Sequence, residues 1–315
     1  MLLGTLFLIG GIVLIVWGAE RFTDGALGAA TRFAVSPFYV GVIVSGFEPE
    51  NLVTGIAAGV GGLPQVALGT VIGSTVFLLT AALGVALLVV PMAVQIPREG
   101  PFAMLVSLLA VAATLGTAAT VSRLEGFLLL LGALALLVWL YRRAPAFRRT
   151  REGGEVSEGS GAAPSAIKAV GLLIIATIVI LLGAELLVSG ARTLVSTAGV
   201  SETFLGMAVI GLGESLEETA RMVAPARRGH PELALGNVVG TVVILLVFNL
   251  GVIALIRPLT ADPLVVRVHL PYLAGCAVVV SVALLTLRKL GRLPGGLLVM
   301  LYVAYLAINV AHMWR

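Results

Sequence analysis

Five carboxylates stand inside otherwise apolar sequence. Glu48 and Glu50 lie in Ser45-Gly46-Phe47-Glu48-Pro49-Glu50-Asn51, and Glu214, Glu217 and Glu218 lie in Gly213-Glu214-Ser215-Leu216-Glu217-Glu218. A carboxylate at the centre of a bilayer costs about 2.5–3.5 kcal/mol, so each must be protonated, ion-paired or turned toward a hydrated cation site. Carboxylate oxygens are the hard ligands that Ca2+, Na+ and Mg2+ prefer. At about 100° per residue Glu214 and Glu218 share a helix face with Glu217 beside it, while Pro49 weakens the backbone ladder next to Glu48 and Glu50. Neutral oxygens extend both clusters: Asn51, Thr70 and Ser74 in the first, Ser215, Asn237 and Thr241 in the second. Where like charges crowd, protons and cations compete for the same oxygens, and mutually exclusive occupancy is the basis of exchange. The same residues allow another arrangement, because Arg221 follows Glu217 by one helical turn and an ion pair between them would leave a purely structural cluster.

The chemistry occurs twice. Gly18-Ala19-Glu20 returns as Gly183-Ala184-Glu185, and Ala67-Leu68-Gly69-Thr70-Val71-Ile72-Gly73-Ser74 returns as Ala234-Leu235-Gly236-Asn237-Val238-Val239-Gly240-Thr241. The spacing is 165 for Gly18 and Gly183 and 167 for Gly69 and Gly236, so the first copy lacks two residues just before its acids. Thr70 is thereby paired with Asn237 and Ser74 with Thr241. Glu20 and Glu185 are paired too, but they lie nearer the ends of apolar runs beside Arg21 and Asp24, where a structural or vestibule role is expected.

The elements that must position these groups are membrane helices. Hydrophobic residues make up 59% of the 315 residues and charged residues 11%, with a mean hydropathy of +1.10, far from a soluble domain. Apolar runs long enough to cross about 30 Å of hydrocarbon fall near 2–22, 37–60, 66–91, 101–119, 124–141, 167–190, 201–224, 233–256, 265–287 and 293–313. The first run carries one member of the repeat and lacks a small-residue cleavage site, so it reads as a retained helix. Residues 142–167, rich in Gly, Ser, Glu and Arg, read as a flexible linker. Five helices on either side of it is an odd number, which inverts the second set relative to the first. The expected fold class is therefore an all-α membrane protein of ten transmembrane helices in two inverted five-helix repeats, residues 1–141 and 168–315.

Most of the 20 Lys and Arg residues collect on one side if the N-terminus is outside, which places 142–167 in the cytoplasm and the protein in the inner (plasma) membrane. The basic pI near 9.6 reports this topology, and no nucleic-acid partner is expected. A single Cys276 and the scattered His230, His269 and His312 give no soft-metal ligand spacing, and no Gly-x-Ser-x-Gly elbow or His-Glu-x-x-His motif stands in the helices. No enzyme and no resident cofactor is expected; the partners are the lipid bilayer and inorganic cations, with the chain a monomer.

The Gly-rich acidic helix followed by Ala-Leu-Gly-Asn-Val-Val-Gly-Thr at 234–241 resembles the alpha-repeats of the cation/calcium exchanger superfamily. Each repeat there usually reads Gly-Thr-Ser-x-Pro-Glu and, about twenty residues later, Gly-Asn-x-x-Gly-Ser. The resemblance implies that Ser215 and Glu218 fall on the family's ion-binding Ser and Glu. In the first copy the family Glu falls on Asn51 by spacing, or on Glu50 if Pro-Glu is matched to Pro49-Glu50, and Glu50 is the expected ligand. Pro is replaced by Glu217, Thr by Glu214, and the polar residue expected four places after the second Ser by Leu78 and Leu245. The resemblance implies an antiporter exchanging Ca2+ or a related divalent cation for Na+ or H+. The alternatives are another divalent or monovalent cation, or a non-transporting sensor or scaffold with the exchanger fold.

Overall fold

The computed structural model describes residues 2–45, 49–94, 96–151, 165–197 and 211–313. Among them, eight helical stretches are long and apolar enough to span a membrane: Leu3–Arg32, Pro64–Val89, Glu99–Ala118, Arg123–Arg143, Ala166–Leu187, Pro231–Ile256, Val265–Thr286 and Arg292–Ala311. Each coincides with a run expected from hydropathy. Within the expected span 37–60 the described residues are helical on both sides of 46–48. Ser36 caps a short α2 (Pro37–Val40), with Pro37 in the first turn where its missing N–H is harmless. A π-helical segment Gly41–Ser45 continues it directly, and α3 runs Pro49–Val60. The expected span 201–224 is described from Gly211 onward, within α9 (Gly211–Arg227).

The long α1 (Leu2–Arg32) packs along α8 (Ala166–Thr197), and the backbones approach closely at small residues. A Cβ on Gly11 would lie 2.6 Å from the Gly183 carbonyl oxygen, so neither position accepts a side chain without separating the helices. Phe22, Ala26, Leu173, Ala176 and Ile180 form a compact apolar seam here. Arg142 to Lys168 is not wholly irregular: α7 (Arg123–Arg151) continues ten residues past the expected end at 141, through an Arg-rich stretch that includes Pro145.

The main core surrounds two helices buried on nearly all sides. Of the residues in the hydrophobic window of Pro64–Val89, 72% are buried, and 78% in Pro231–Ile256, against 11% in Arg292–Ala311, which leaves the last helix to face lipid. The two central stretches share one succession of elements. Α-helix α4 (Pro64–Phe77), a π-helical segment Leu78–Ala82, α5 (Leu83–Val89) and the strand β1 (Met92–Ala93) form the first. In the second, α10 (Pro231–Val243), a π-helical segment Ile244–Asn249, α11 (Leu250–Ile256) and β3 (Leu259–Thr260) follow in the same order. Pro64 and Pro231, Leu83 and Leu250, and Met92 and Leu259 keep the spacing of 167 that relates Gly69 to Gly236.

The remaining long helices are α6 (Glu99–Ala118), α12 (Leu270–Thr286) and α13 (Arg292–Met313). Two small antiparallel ladders knit distant segments together. Strand β1 pairs with β4 (Lys289–Leu290), and β2 (Thr120–Val121) pairs with β3. Gly84 meets Gly295, and Gly126 meets Gly251, at helix crossings where a Cβ would fall 2.8 Å from the facing carbonyl oxygen.

Candidate cation site

Four elements carry the described candidates: α3 with Asn51, α4 with Thr70 and Ser74, α9 with Glu217, Glu218 and Arg221, and α10 with Asn237 and Thr241. The turns into the central helices are made by glycines in left-handed backbone, Gly62 (φ +78°) before α4 and Gly229 (φ +81°) before α10, a conformation that a side chain would oppose. Helix α3 packs on α4, and α9 on α10. Each acidic helix also reaches the other central stretch: α9 contacts α5 and the π-helical 78–82, while α3 contacts α11 and the π-helical 244–249.

In the second cluster the charges are enclosed. Glu217 is 7% exposed, Glu218 8% and Arg221 4%. Arg221 Nη2 donates to Glu217 Oε1 at 2.5 Å, and Arg221 Nη1 to Glu218 Oε1 at 3.4 Å. The other Glu218 oxygen, Oε2, accepts a hydrogen bond from Asn237 Nδ2 on α10 at 3.2 Å. Spacings of three and four residues put the guanidinium over both carboxylates on one helix face. The ion pair allowed by the sequence is thus present, and it extends to Glu218.

Beside this cluster lie buried oxygens with nothing to hold. Asn237 Oδ1 and Thr241 Oγ1 sit one helical turn apart on α10, both residues 1% exposed, and neither atom has a hydrogen-bond partner; Thr219 Oγ1 on α9 has none either. A buried polar atom left unsatisfied costs roughly 1–3 kcal/mol, so oxygens of this kind on α9 and α10 are candidates to hold a water or an ion. Acceptor lone pairs beside a carboxylate suit a cation.

The first cluster is built differently. Ser74 Oγ donates to Asn51 Oδ1 at 3.2 Å, joining α4 to α3. Thr70 turns its hydroxyl back onto the Ala67 carbonyl at 2.8 Å, the usual fate of Thr in a membrane helix. Asn51, the position that spacing aligns with Glu218, therefore meets the oxygen-bearing face of α4 as Glu218 meets that of α10. Glu50 lies on α3 and Glu214 and Ser215 on α9; their side chains, like Glu48 altogether, lie outside the described residues.

The glycines of α4 and α10 face different surroundings. A Cβ on Gly236 or Gly240 would run into the carbonyl oxygens of Phe38 and Val42, so α10 is clamped to the 37–45 segment backbone to backbone. Their counterparts Gly69 and Gly73 have open space in front of them among the described residues. They line a cavity of about 270 Å3 together with Gln65, Asp262, His269, Tyr305 and Asn309. His269 Nδ1 and the Tyr305 hydroxyl lie 3.0 Å apart there. Gln65 closes one end, donating to the Thr260 carbonyl at 2.9 Å and accepting from the Asp262 N–H at 3.1 Å.

At the far ends of the helices, Asp24 on α1 is held by Arg21 at 3.3 Å and by Arg228 beyond α9, next to a small cavity that includes Glu20 and Arg227. Glu185 accepts from Ser189 on its own helix at 3.4 Å. Sequence reasoning missed Asn249, the last residue of the second π-helical segment, which is 1% exposed with neither amide atom partnered. The signal was an Asn inside an apolar run whose counterpart is Ala82.

The family model for sodium/calcium exchanger protein matches residues 3–142 and 168–311. The chain is 31% identical to the putative antiporter CaxA of Alkalimonas amylolytica, over 97% of this chain and 98% of that protein. It is 32% identical to the inner membrane protein YrbG of Escherichia coli strain K12, over 84% and 83% respectively. Among solved structures, the sodium-calcium exchanger NCX_Mj soaked with zero Na+ and Ca2+ superposes with a TM-score of 0.81 at 27% identity, covering 98% of this chain and 99% of that one.

Proposed function

The chain belongs to the sodium/calcium exchanger family, and on that premise we propose that it exchanges Ca2+, or a related divalent cation, for Na+ or H+ by alternating access. That it is a multi-pass membrane protein and a cation transporter rather than an enzyme follows from the family and the apolar helices. In this reading two further crossings, through 37–60 and 201–224, join the eight apolar spans to make ten helices in two inverted five-helix repeats, 1–141 and 168–315. The N-terminus is outside, 142–167 is cytoplasmic and the transporter is a monomer. The duplicated succession around α4 and α10 and the reciprocal β1–β4 and β2–β3 ladders support it.

One observation carries the site assignment: Glu218 lies beside buried acceptor oxygens of Asn237 and Thr241 that have no protein partner. Glu218 supplies charge, Asn237 and Thr241 supply neutral ligands, and Ser74 and Asn51 supply the facing oxygens from the first repeat. Glu50, Glu48, Glu214 and Ser215 complete the pocket, with Glu217 and Thr70 at its margin. The cavity beside Gly69 and Gly73 is the access route to one side of the membrane. The solved neighbour is named as a sodium-calcium exchanger, which makes Na+ and Ca2+ the first pair to test.

A monovalent cargo is the second reading. It is favoured by Asn51 where the resemblance calls for a carboxylate, by buried Leu78 and Leu245 in place of polar ligands, and by Arg221 on Glu218. Purified protein in proteoliposomes separates the two. Ca2+ uptake that rises with an outward Na+ or H+ gradient supports divalent exchange; Na+ or K+ counterflow without Ca2+ uptake supports the monovalent reading. Absence of counter-ion-dependent movement of any of these ions contradicts both and leaves a non-transporting scaffold.

A further inference from the structure

Arg221 is buried against the carboxylate that the antiporter reading makes a cation ligand. Its two terminal nitrogens reach Glu217 Oε1 at 2.5 Å and Glu218 Oε1 at 3.4 Å, while Asn237 Nδ2 takes Glu218 Oε2 at 3.2 Å. Both oxygens of Glu218 thus already accept hydrogen bonds from protein donors. The same Asn237 amide leaves its Oδ1 buried and without a partner, as is Thr241 Oγ1 one helical turn further along α10. The positive charge therefore sits at the pocket without filling it. A guanidinium cannot be deprotonated in a protein, so no accessible pH removes it.

We propose that Arg221 is a built-in competitor of the transported cation, holding Glu218 when the pocket is empty and setting the preference between monovalent and divalent ions. Coulomb energy scales with the product of the charges, so a guanidinium opposes a doubly charged ion twice as strongly as a singly charged one at the same distance. Arg221 therefore weakens Ca2+ binding more than Na+ binding. Arg221 stays on Glu217 through the shorter contact when an ion takes Glu218, which makes the Glu217–Arg221 pair the resting position of the displaced charge. The inference rests on the antiporter reading only in taking Glu218 as a cation ligand.

The test is equilibrium binding of Ca2+ and Na+ to the purified full-length protein by calorimetry, comparing wild type with Arg221→Gln. Ca2+ should bind about tenfold more tightly to the variant and Na+ only about threefold, the square-root relation that a charge-product effect requires. Because removing one partner of a buried pair can prevent folding, Glu217→Gln/Arg221→Gln, which deletes both charges of the pair and leaves Glu218 with Asn237, is measured alongside; it should tighten Ca2+ more than Na+ but by less than the single variant, because a carboxylate leaves with the guanidinium. Unchanged or weaker Ca2+ binding in both variants, or equal gains for Ca2+ and Na+, overturns the proposal. Ion flux of the wild type in proteoliposomes is scored separately. Flux without the binding gain defeats the competitor role and leaves the antiporter standing, whereas the binding gain without flux defeats the antiporter and leaves the competitor.

Discussion

Two helix pairs on the same frame carry opposite chemistry. The α3–α4 pair is neutral among its described side chains and holds itself together: Ser74 bonds Asn51, Thr70 bonds its own helix, and Gly69 and Gly73 open onto a cavity. The α9–α10 pair is charged, buried and incompletely satisfied, with Arg221 over two glutamates, orphaned oxygens on Asn237 and Thr241, and Gly236 and Gly240 pressed against the 37–45 backbone. The two pairs keep one backbone arrangement, and among the described side chains the carboxylates lie on α9 while the open glycine face lies on α4.

The comparison breaks most readily at its charged member. Glu218→Gln keeps the shape and a hydrogen-bonding group but removes the charge, and should lower exchange in proteoliposomes at least about 100-fold, equivalent to roughly 2.7 kcal/mol. Asn51→Ala, which deletes the 3.2 Å bond with Ser74, should cost about two- to tenfold, in line with about 0.5–1.5 kcal/mol for a neutral hydrogen bond. Equal losses at the two positions would show that the copies contribute alike and that the asymmetry is not functional.

A second contrast reads packing. Gly236→Ala and Gly240→Ala each drive a methyl into a facing carbonyl oxygen, and overpacking of this kind costs about 1–3 kcal/mol or more. Their detergent-solubilised melting temperatures should fall well below wild type. Gly69→Ala and Gly73→Ala meet open space and should leave the melting temperature unchanged or slightly raised, since Ala is favoured over Gly in a helix by up to about 1 kcal/mol. If all four variants melt together, α4 and α10 do not occupy different surroundings.

The smallest effect belongs to the ion pair at the helix ends. Asp24 and Arg228 are each 36% exposed at the side chain, so solvent and salt screen them. Asp24→Asn should shift stability by no more than about 1 kcal/mol, and any effect on exchange should fade as ionic strength rises. A loss as large as that of Glu218→Gln would move the functional centre toward α1.

Hydropathy made the eight apolar spans legible, because a run of about twenty apolar residues has few other folds available in lipid. The repeat spacing of 167 also located the helices that carry Glu218 and Asn237, and the i, i+4 relation made the Glu217–Arg221 pair readable as one of two outcomes. The π-helical segments at 41–45, 78–82 and 244–249 were not legible, since a change of hydrogen-bond register leaves the hydropathy pattern intact. Arg221's second contact, to Glu218, follows from the same helix face at i, i+3, whereas the unpartnered Asn249 depends on which neighbours close over it, which spacing along one chain does not encode. Aligning Glu50 or Asn51 with Glu218 was undecided by sequence; the bond to Ser74 puts Asn51 at the face of α4 that corresponds to the Asn237 face of α10.

The central claim is that the transported cation is held between Glu218 on α9 and the Asn237 and Thr241 oxygens on α10. Its most direct test is anomalous diffraction from crystals soaked with a heavy surrogate of whichever ion the flux assay identifies, Sr2+ or Mn2+ for a divalent and Tl+ for a monovalent. The account predicts a peak within ligand distance of Glu218, Asn237 Oδ1 and Thr241 Oγ1, with Arg221 drawn off Glu218 and still on Glu217. An ordered ion elsewhere in the molecule, with the Glu218–Arg221–Asn237 contacts unchanged, would contradict it.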